Sequence, residues 1–426
     1  MAYNRLRIYK VRIGGIKMKW ESLGFKDNPF NTDPIIQATI SLYAGQKRAI
    51  EVCQNVLYER NVLLIIEGSR GVGTTSFGNF LRFSAQTRKD YFTPTNEIRI
   101  GEKWALETVL SAVIANVVRE IELIQIKEII KDERFKNAKA LTVRISDTYR
   151  SFGISAAGFG ANYGTQTEVT QPIIVPAAVL GHHLEDLAML VQASGYKYGL
   201  LLQLNNLDVG EIHEEKHLKY LFNELRDYVQ TNNVSWLFVG DTGIRKFIAQ
   251  QVDRLDDIVS YEVEIKPLTI SEYDALIDKR FQFYKNNPNA KLPIEKDVFL
   301  YLFKLTNGRL RYVFGLIKRL LNELNVGDLV DKLTLDIAKP MVTKLARERL
   351  AKNNLTIGEQ EVLKQLVKLG SASATILSET LGKSRQYISK ILIKLNDIRL
   401  LEVQRESKNR IYFPILDVVI AYSIQS

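Results

Sequence analysis

The stretch Gly68-Ser69-Arg70-Gly71-Val72-Gly73-Thr74-Thr75 has the spacing of a phosphate-binding loop, G-x-x-x-x-G-K-[ST], with a threonine at the lysine position. In that pattern the glycines let backbone N–H groups curl around phosphates, the lysine reaches the outer phosphates, and the last hydroxyl holds Mg²⁺. Only the lysine is missing here. The sequence therefore predicts nucleotide binding and argues against ATP hydrolysis.

The residues on either side of this loop have the patterns of a strand and a helix. Residues 62–66 form a short apolar run suited to a buried parallel strand, and residues 76–84 repeat apolar side chains at helical spacing. A helix that begins here would add free N–H groups and a partial positive charge at the phosphates. The alternative is a plain glycine turn. The predicted nucleotide contacts are Gly68, Ser69, Arg70, Gly71, Val72, Gly73, Thr74, Thr75 and Ser76, with the Thr75 hydroxyl as the Mg²⁺ ligand.

Length and composition limit the class of protein. With 426 residues, 46% of them hydrophobic, the chain is long enough for two or three domains with real cores. A single cysteine, Cys53, excludes an internal disulfide framework and a multi-cysteine zinc site. We predict that Cys53 is a small buried residue. No run approaches the roughly 18 to 20 apolar residues of a membrane helix, and the N-terminus lacks a secretory signal. We therefore expect a cytoplasmic protein with no membrane partner.

The net charge of +10 is concentrated at the N-terminus. Residues 1–17 carry basic side chains and no acidic one. This arm is either a nucleic-acid-binding tail or a translation-start artefact, because Met18 begins a more globular sequence. Its basic residues are Arg5, Arg7, Lys10, Arg12 and Lys17.

Two further apolar runs predict other central strands of a parallel sheet. Residues 199–208 form a buried strand that ends in polar residues, and polar residues also follow the run at 234–240. Groups at the carboxyl ends of parallel strands face the ligand. The alternation of strands and helices predicts an α/β fold with a doubly wound parallel sheet. The polar residues expected at this edge are Asn205, Asn206, Asp208, Asp241 and Thr242.

Residues 151–164 interleave small residues with bulky ones, a pattern that suggests a β-hairpin inserted in the α/β domain. This hairpin is either a plain surface feature or a contact surface for DNA or a neighbouring subunit.

After Pro267 the pattern is all helical, and the residues from Leu355 onward resemble a winged helix-turn-helix. Helices at 359–368, 374–381 and 384–396 precede two short strands. The third helix has one apolar face, and its other face offers side chains suited to base edges and phosphates in a major groove. The alternative is a protein-docking module. The predicted duplex-DNA contacts are Arg385, Gln386, Tyr387, Lys390 and Lys394 on this helix, and Arg405, Lys408 and Arg410 in the wing.

Over most of the chain, these motifs resemble an AAA+ ATPase of the type found in archaeal and eukaryotic replication initiators and in transposition helper ATPases. Residues 24–30, Gly-Phe-Lys-Asp-Asn-Pro-Phe, are similar to the N-terminal motif of such helpers, and residues 43–46 to a Gly-Arg-Glu-like element without its arginine. Residues 265–273 are similar to the junction between the ATPase sheet and its lid. The resemblance implies a P-loop core at 18–266, a helical lid at 267–352 and a C-terminal winged helix-turn-helix at 353–426, which follow the basic arm at 1–17.

The resemblance also implies roles for particular polar residues. Gly308 and Arg311 match a G-x-x-R pattern in which a lid arginine reaches the outer phosphates, although a helix-start glycine beside a surface arginine gives the same pattern. Asp241 and Thr242 fall where a polar side chain lies near the attacking water. The candidates for a trans-acting arginine finger, which are more simply explained as solvated side chains, are Arg245 and Arg254.

Two departures from the family pattern bear on hydrolysis. Thr74 replaces the loop lysine, and Asn205-Asn206 stand where an Asp holds the Mg²⁺ shell and a Glu orients the attacking water. Neither amide supplies a negative charge or readily accepts a proton. Asp208 is close enough in sequence to be a substitute. Because Thr74, Asn205 and Asn206 depart from the pattern, we assign no residue a catalytic role.

Three hypotheses follow from these observations. The leading one is an AAA+-like protein that binds duplex DNA and uses bound ATP or ADP, with or without Mg²⁺, for conformation or assembly and not for rapid turnover. The second is an active ATPase with an atypical site, in which a residue such as Arg70 replaces the lysine. The third is a scaffold whose winged helix binds a protein partner. Because AAA+ relatives often form rings or filaments, a homo-oligomer is a further expectation.

Overall fold

The computed structural model describes residues 20–101, 104–151, 175–209, 212–324, 332–406 and 409–423. The basic arm at 1–17 and, apart from Ser151, the predicted hairpin lie outside these ranges. The chain forms two compact units, one from Asp33–Lys279 and the other from residues before and after it.

The first unit is built on a five-stranded sheet. Its strands are β1 (Leu63–Glu67), β2 (Ile98–Arg99), β3 (Leu200–Leu207), β4 (Val234–Gly240) and β5 (Tyr261–Glu264). Its helices are α1 (Lys47–Val56), α2 (Thr74–Thr87), α3 (Leu106–Ile124), α4 (Lys127–Lys131), α5 (Glu133–Ser151), α6 (Ala177–Ala193), α7 (Ile212–Val229), α8 (Ile244–Gln251) and α9 (Asp253–Asp256), and a 3₁₀ helix spans Gln37–Leu42. All strand pairs are parallel and the order is β2-β3-β4-β1-β5, so the predicted α/β fold with a parallel sheet is confirmed.

Helices cover both faces of this sheet. Leu63 and Ile65 of β1 pack in one core with α3, α6 and α7, whereas Leu64 and Ile66 pack in the other with α1 and α2. Because both faces are buried, β1 is apolar throughout rather than alternating. Cys53 lies fully buried in the second core, as predicted, and burial raises the pKa of its thiol to about 12.

The second unit is mainly helical. Its elements are the end of α10 (Ile270–Tyr284), then α11 (Lys296–Leu305), α12 (Leu310–Glu323), α13 (Leu335–Ala351), α14 (Ile357–Leu369), α15 (Ala374–Leu381), α16 (Arg385–Asp397), β6 (Leu401–Glu406), β7 (Asn409–Pro414) and α17 (Leu416–Ser423). Strands β6 and β7 pair antiparallel. The helices and strands lie close to their predicted positions, while the division into a lid and a winged helix at 352/353 stays a prediction. Within the described ranges, no helix is long and apolar enough to cross a membrane.

The aromatic residues of the N-terminal motif also belong to the second unit. Phe25 and Phe30 are 2% and 1% exposed, and their ring centroids lie 6.3 and 6.0 Å from that of Phe281 on α10. Phe30 also packs 5.8 Å from Phe299 on α11. These apolar contacts explain why residues 20–32 group with the C-terminal helices, although the sequence places them at the start of the core.

Candidate functional site

The Gly68–Thr75 loop lies where the sheet changes the direction of its connections. From β1 the chain passes through α2 to β2 at one edge of the sheet, and from β4 it passes through α8 and α9 to β5 on the other side of β1. In open parallel sheets, ligands bind in the crevice outside the carboxyl ends of the strands at such a switch point. The loop follows β1 directly and therefore borders this crevice.

The loop glycines have conformations that other residues adopt at a cost. Gly71 and Gly73 have φ of 90° and 110°, in the region that favours glycine. The Val72 N–H donates to the Ser69 carbonyl at 3.2 Å, and the Phe77 N–H donates to the Gly73 carbonyl at 2.9 Å, which starts the hydrogen bonding of α2. The predicted order of strand, loop and helix is therefore present.

Gly68 is required by close packing. A Cβ atom at this position would lie 2.6 Å from the Ile265 carbonyl oxygen and 2.9 Å from Thr74 Cγ2. The Thr74 methyl group thus lies against the start of the loop. Its short, branched side chain carries no positive charge, so nothing at this position replaces the missing lysine.

Not every polar group in the first turn of α2 is available to a ligand. The leading N–H groups of a helix have no partner within it and form an anion site when they face a cleft. The Ser76 hydroxyl accepts a hydrogen bond from the Ile35 N–H at 3.3 Å, and Asn79 donates to the Ile35 carbonyl at 2.8 Å. Ser76, a predicted nucleotide contact, therefore also fixes the segment around Ile35 on α2.

The two asparagines at the end of β3 face different environments. Asn205 is 2% exposed, and its Oδ1 accepts a hydrogen bond from Nε2 of the buried Gln203 at 2.9 Å. Asn206 is exposed, with φ of 62°, where the register of β3 against β4 shifts between Leu204 and Leu207. Only Asn205 therefore points into the interior. The sequence interpretation missed Gln203, although a polar residue inside an apolar strand was a visible signal.

The carboxylates at the carboxyl ends of β1, β3 and β4 bind donors of the chain itself. Asp208 forms an ion pair with Arg70, with 3.0 Å between Oδ2 and Nη2. Glu67 accepts from the backbone N–H groups of Gly243 and Arg245 at 3.0 and 3.2 Å. Asp241 accepts from the Val209 N–H at 3.2 Å. Asp208 and Arg70, each a candidate substitute for a missing group, are thus bound to each other.

The arginine candidates differ in their surroundings. Arg245 forms ion pairs with Glu262 and Asp256. Burial alone would lower its pKa, but these carboxylates outweigh burial and raise the pKa. Arg254 is exposed on α9, and Arg311 is exposed on α12 in the second unit. The roles of Arg254 as a finger and of Arg311 as a phosphate ligand stay predictions.

The predicted DNA contacts on α16 are all exposed. Arg385, Gln386, Tyr387 and Lys390 differ from Lys394 in one respect. Lys394 donates to Oε1 of the buried Glu359 on α14 at 2.5 Å, and this hydrogen bond holds the pKa of Glu359 below its ordinary value. Of the wing residues, Arg405 lies opposite the exposed Arg410 across the β6–β7 pair, and Lys408 lies outside the described residues.

Metal-ligating side chains do not cluster in the part of the chain that the structure describes. Across the described ranges, no three or more His, Cys, Asp or Glu side chains are grouped in a way that could hold a metal ion.

Comparisons with known proteins identify similar structures but no family. No protein-family model and no curated protein matches the chain. Among solved structures, it is similar to the Aeropyrum pernix ORC1 protein in complex with DNA, at 13% identity and a TM-score of 0.45, over 90% of this chain and 93% of that one. It is also similar to the ADP form of the Aeropyrum pernix ORC2 protein, at 13% identity and a TM-score of 0.49, over 95% and 100% of the two chains. A third structure is Cdc6p from Pyrobaculum aerophilum, at 13% identity and a TM-score of 0.38, over 94% and 97%. At these identities the similarity concerns the fold alone.

Proposed function

We propose that this chain binds ATP or ADP at the Gly68–Thr75 loop, hydrolyses ATP poorly, and binds duplex DNA through α16. The bound nucleotide serves conformation or assembly. The observation that carries the proposal is the loop itself: its positive-φ glycines join β1 to α2 at the switch point of a parallel sheet. This setting presents backbone N–H groups and a helix N-terminus to a phosphate.

Poor hydrolysis follows from the groups that surround this loop. Thr74 provides no ammonium group, and Asn205 and Asn206 provide no carboxylate to hold Mg²⁺ or accept a proton. Losing one preorganised electrostatic group typically costs about 3 kcal/mol of transition-state stabilisation, and here several are lost. Asp208, the nearest acid in sequence, is paired with Arg70.

Nucleotide binding and phosphate release by the purified full-length chain test this part of the proposal. We expect ADP and ATP to raise the melting temperature, because a ligand that binds only the folded state stabilises it. Multiple-turnover phosphate release should stay at background. Release above background that is lost in Thr75→Ala would instead establish an active ATPase with an atypical site.

DNA binding is supported by the exposed polar face of α16. Arg385 and Lys390 can neutralise phosphates, while Gln386 offers an amide of the kind that reads base edges. The hydroxyl of the N-cap residue Ser384 accepts from the Tyr387 N–H at 3.3 Å and fixes the start of this helix.

Salt-dependent binding to a duplex of mixed sequence tests the DNA proposal. The double variant Arg385→Ala/Lys390→Ala should weaken binding and reduce the slope of log K against log salt by about 2, roughly one for each lost phosphate contact. The matched control, Lys364→Ala/Lys368→Ala, removes two exposed lysines from α14 and should leave the slope unchanged. Equal effects of the two double variants would reject α16 as the binding element.

A second candidate is a protein partner for the same region. Ile357 at the start of α14 is 79% exposed, and Ile393, near Lys390 on α16, is 46% exposed. Exposed apolar side chains favour a protein contact over a phosphate contact. If the chain fails to bind any duplex at low salt, this scaffold function replaces DNA binding.

A further inference from the structure

The side-chain amide of Asn205 has an unused N–H₂ group. Its Oδ1 accepts from Gln203 Nε2 at 2.9 Å, and no acceptor within the described part of the chain binds its Nδ2. Gln203 Oε1 is sealed from solvent without a partner, whereas Asn205 Nδ2 keeps contact with solvent, so a ligand can reach it.

Packing around Gln203 supports this orientation of the two amides. Gln203 Oε1 lies against Gly78 of α2, 2.8 Å from the position that a Cβ on Gly78 would take. A glycine Cα–H is a weak donor to a carbonyl oxygen, whereas it offers nothing to an N–H group. Turning both amides over would bury an unpaired N–H₂ at this position, which is less tolerated than an under-satisfied carbonyl. The Asn205 N–H₂ is therefore the group left available.

The position of Asn205 places this donor beside the first turn of α2. Alternate residues of a strand share a face, so Asn205 follows Gln203 on the same face, about 6–7 Å nearer the carboxyl end of β3. Helix α2 joins β1 to the parallel strand β2 and so runs antiparallel to the strands. About four residues before Gly78, or roughly 6 Å along the helix axis, lie Thr74 and Thr75. The Asn205 amide and the phosphate loop therefore border the same part of the crevice.

Apart from the Thr75 hydroxyl, the side chains at this edge fit Mg²⁺ poorly. The cation prefers carboxylate oxygens beside the nucleotide phosphates. The Asn205 oxygen is already used by Gln203, Asp208 is paired with Arg70, and the Glu67 and Asp241 carboxylates accept backbone N–H groups. What the edge offers is a set of donors: the loop N–H groups and the Asn205 N–H₂.

We propose that this site binds the di- or triphosphate of a nucleotide as a metal-free anion, with Asn205 Nδ2 donating to a phosphate oxygen. The inference rests on the proposed nucleotide binding at the same loop. In a magnesium-dependent site the residue at this position contributes negative charge to the metal shell; here it contributes a donor to the anion. Mg²⁺ complexed to the nucleotide would reduce the negative charge that these donors recognise.

Calorimetric titration of the full-length chain with ADP and ATP, in EDTA and in excess Mg²⁺, tests the inference. We expect binding in EDTA to be at least as tight as in Mg²⁺. Affinity that increases about tenfold or more with Mg²⁺, or 1.4 kcal/mol, would overturn it. No binding under either condition would overturn the proposed nucleotide binding itself, so the two failures are distinguishable.

Substitutions at the two asparagines identify the donor. Asn205→Asp replaces the N–H₂ with a carboxylate oxygen, so binding in EDTA should weaken by about tenfold or more, and Mg²⁺ should restore it. The matched control Asn206→Asp adds the same charge at the exposed neighbour and should change affinity less. If Asn205→Asp fails to fold, Asn205→Ala should weaken binding equally in EDTA and in Mg²⁺. Unchanged affinity in EDTA for a folded Asn205 variant would contradict the assignment.

Discussion

Two polar regions next to α2 use their charges differently. Near the carboxyl-terminal half of the helix, the fully buried Arg82 donates to Asn79, Thr93 and the Pro94 carbonyl, with the Glu97 carboxylate 4.0 Å away. We call these residues the Arg82 cluster. At the amino-terminal end of α2 lies the edge formed by Gly68–Thr75, Asn205, Asp208 and Asp241, which we call the loop edge. Its carboxylates accept hydrogen bonds from the chain, and the Asn205 N–H₂ has no partner in the described residues but keeps contact with solvent.

The difference separates groups that hold the fold from groups suited to a ligand. Burial lowers the pKa of Arg82 to about 10, while Glu97 and Glu120 raise it, so the guanidinium stays charged at neutral pH within a matched set of acceptors. Its Nε lacks an acceptor but is sealed from solvent, so no ligand reaches it. Changes in the Arg82 cluster should therefore reduce stability, whereas side-chain changes at the loop edge should mainly reduce binding.

The largest expected effect is the loss of the buried guanidinium. Arg82→Met should lower the free energy of unfolding by about 3–5 kcal/mol, because it leaves the buried oxygens of Asn79, Thr93 and Pro94 without their donor. The matched variant Arg70→Met breaks an exposed ion pair with Asp208 and should cost less than about 1 kcal/mol. Guanidinium chloride titrations followed by tryptophan fluorescence measure both, since Trp236 is fully buried in the same unit. Similar losses in the two variants would remove the distinction between the regions.

One substitution at the loop edge should reduce stability instead of binding, because it acts on the packing of the backbone. Gly68→Ala should lower the free energy of unfolding by about 1–3 kcal/mol, because its Cβ would lie 2.6 Å from the Ile265 carbonyl oxygen, which is backbone and cannot rotate away. The control Gly315→Ala in α12 meets open space and should stabilise the chain by up to about 1 kcal/mol. The same unfolding titrations measure both changes. Wild-type stability of Gly68→Ala would show that the loop does not pack on the residue after β5.

The sequence predicts the fold where the signal is local. The glycine spacing of the loop and the apolar runs of β1, β3 and β4 are continuous in sequence, and both faces of these strands are buried. Strands β2 and β5 were missed because β2 has two residues, and β5 reads Tyr-Glu-Val-Glu and is largely exposed. Their strand character depends on pairing with β3 and β1, which a local pattern does not show.

The candidate site was only partly predictable for a similar reason. The residue types at the loop and at Asn205-Asn206 were visible, but the positive φ of Asn206, which separates the two side chains, has no sequence signature. The Arg70–Asp208 and Lys394–Glu359 pairs join residues far apart in the chain. Such pairs decide which charged groups remain for a ligand, and they form only when the elements pack.

The smallest effect concerns a third polar group of the same unit, the hydroxyl of the fully buried Tyr91. It donates to the Leu57 carbonyl at 2.8 Å and lies 3.1 Å from the Ser235 hydroxyl oxygen. Tyr91→Phe should therefore lower the free energy of unfolding at neutral pH by about 0.5–1.5 kcal/mol, as expected for one matched hydrogen bond.

The difference in free energy of unfolding between wild type and Tyr91→Phe should depend on pH, because the buried phenol is neutral. Burial raises the pKa of Tyr91 from 10.0 to about 12, although the hydrogen bond with Ser235 acts in the opposite direction. A raised pKa means that the folded state favours the protonated phenol, so its contribution is complete below pH 10 and is lost as the pH rises through 12. The stability advantage of wild type over Tyr91→Phe should shrink across this range in urea titrations. A constant difference from neutral pH to pH 12 would indicate that Tyr91 ionises in the folded chain as readily as in the unfolded chain, and that burial alone does not make a polar group structural here.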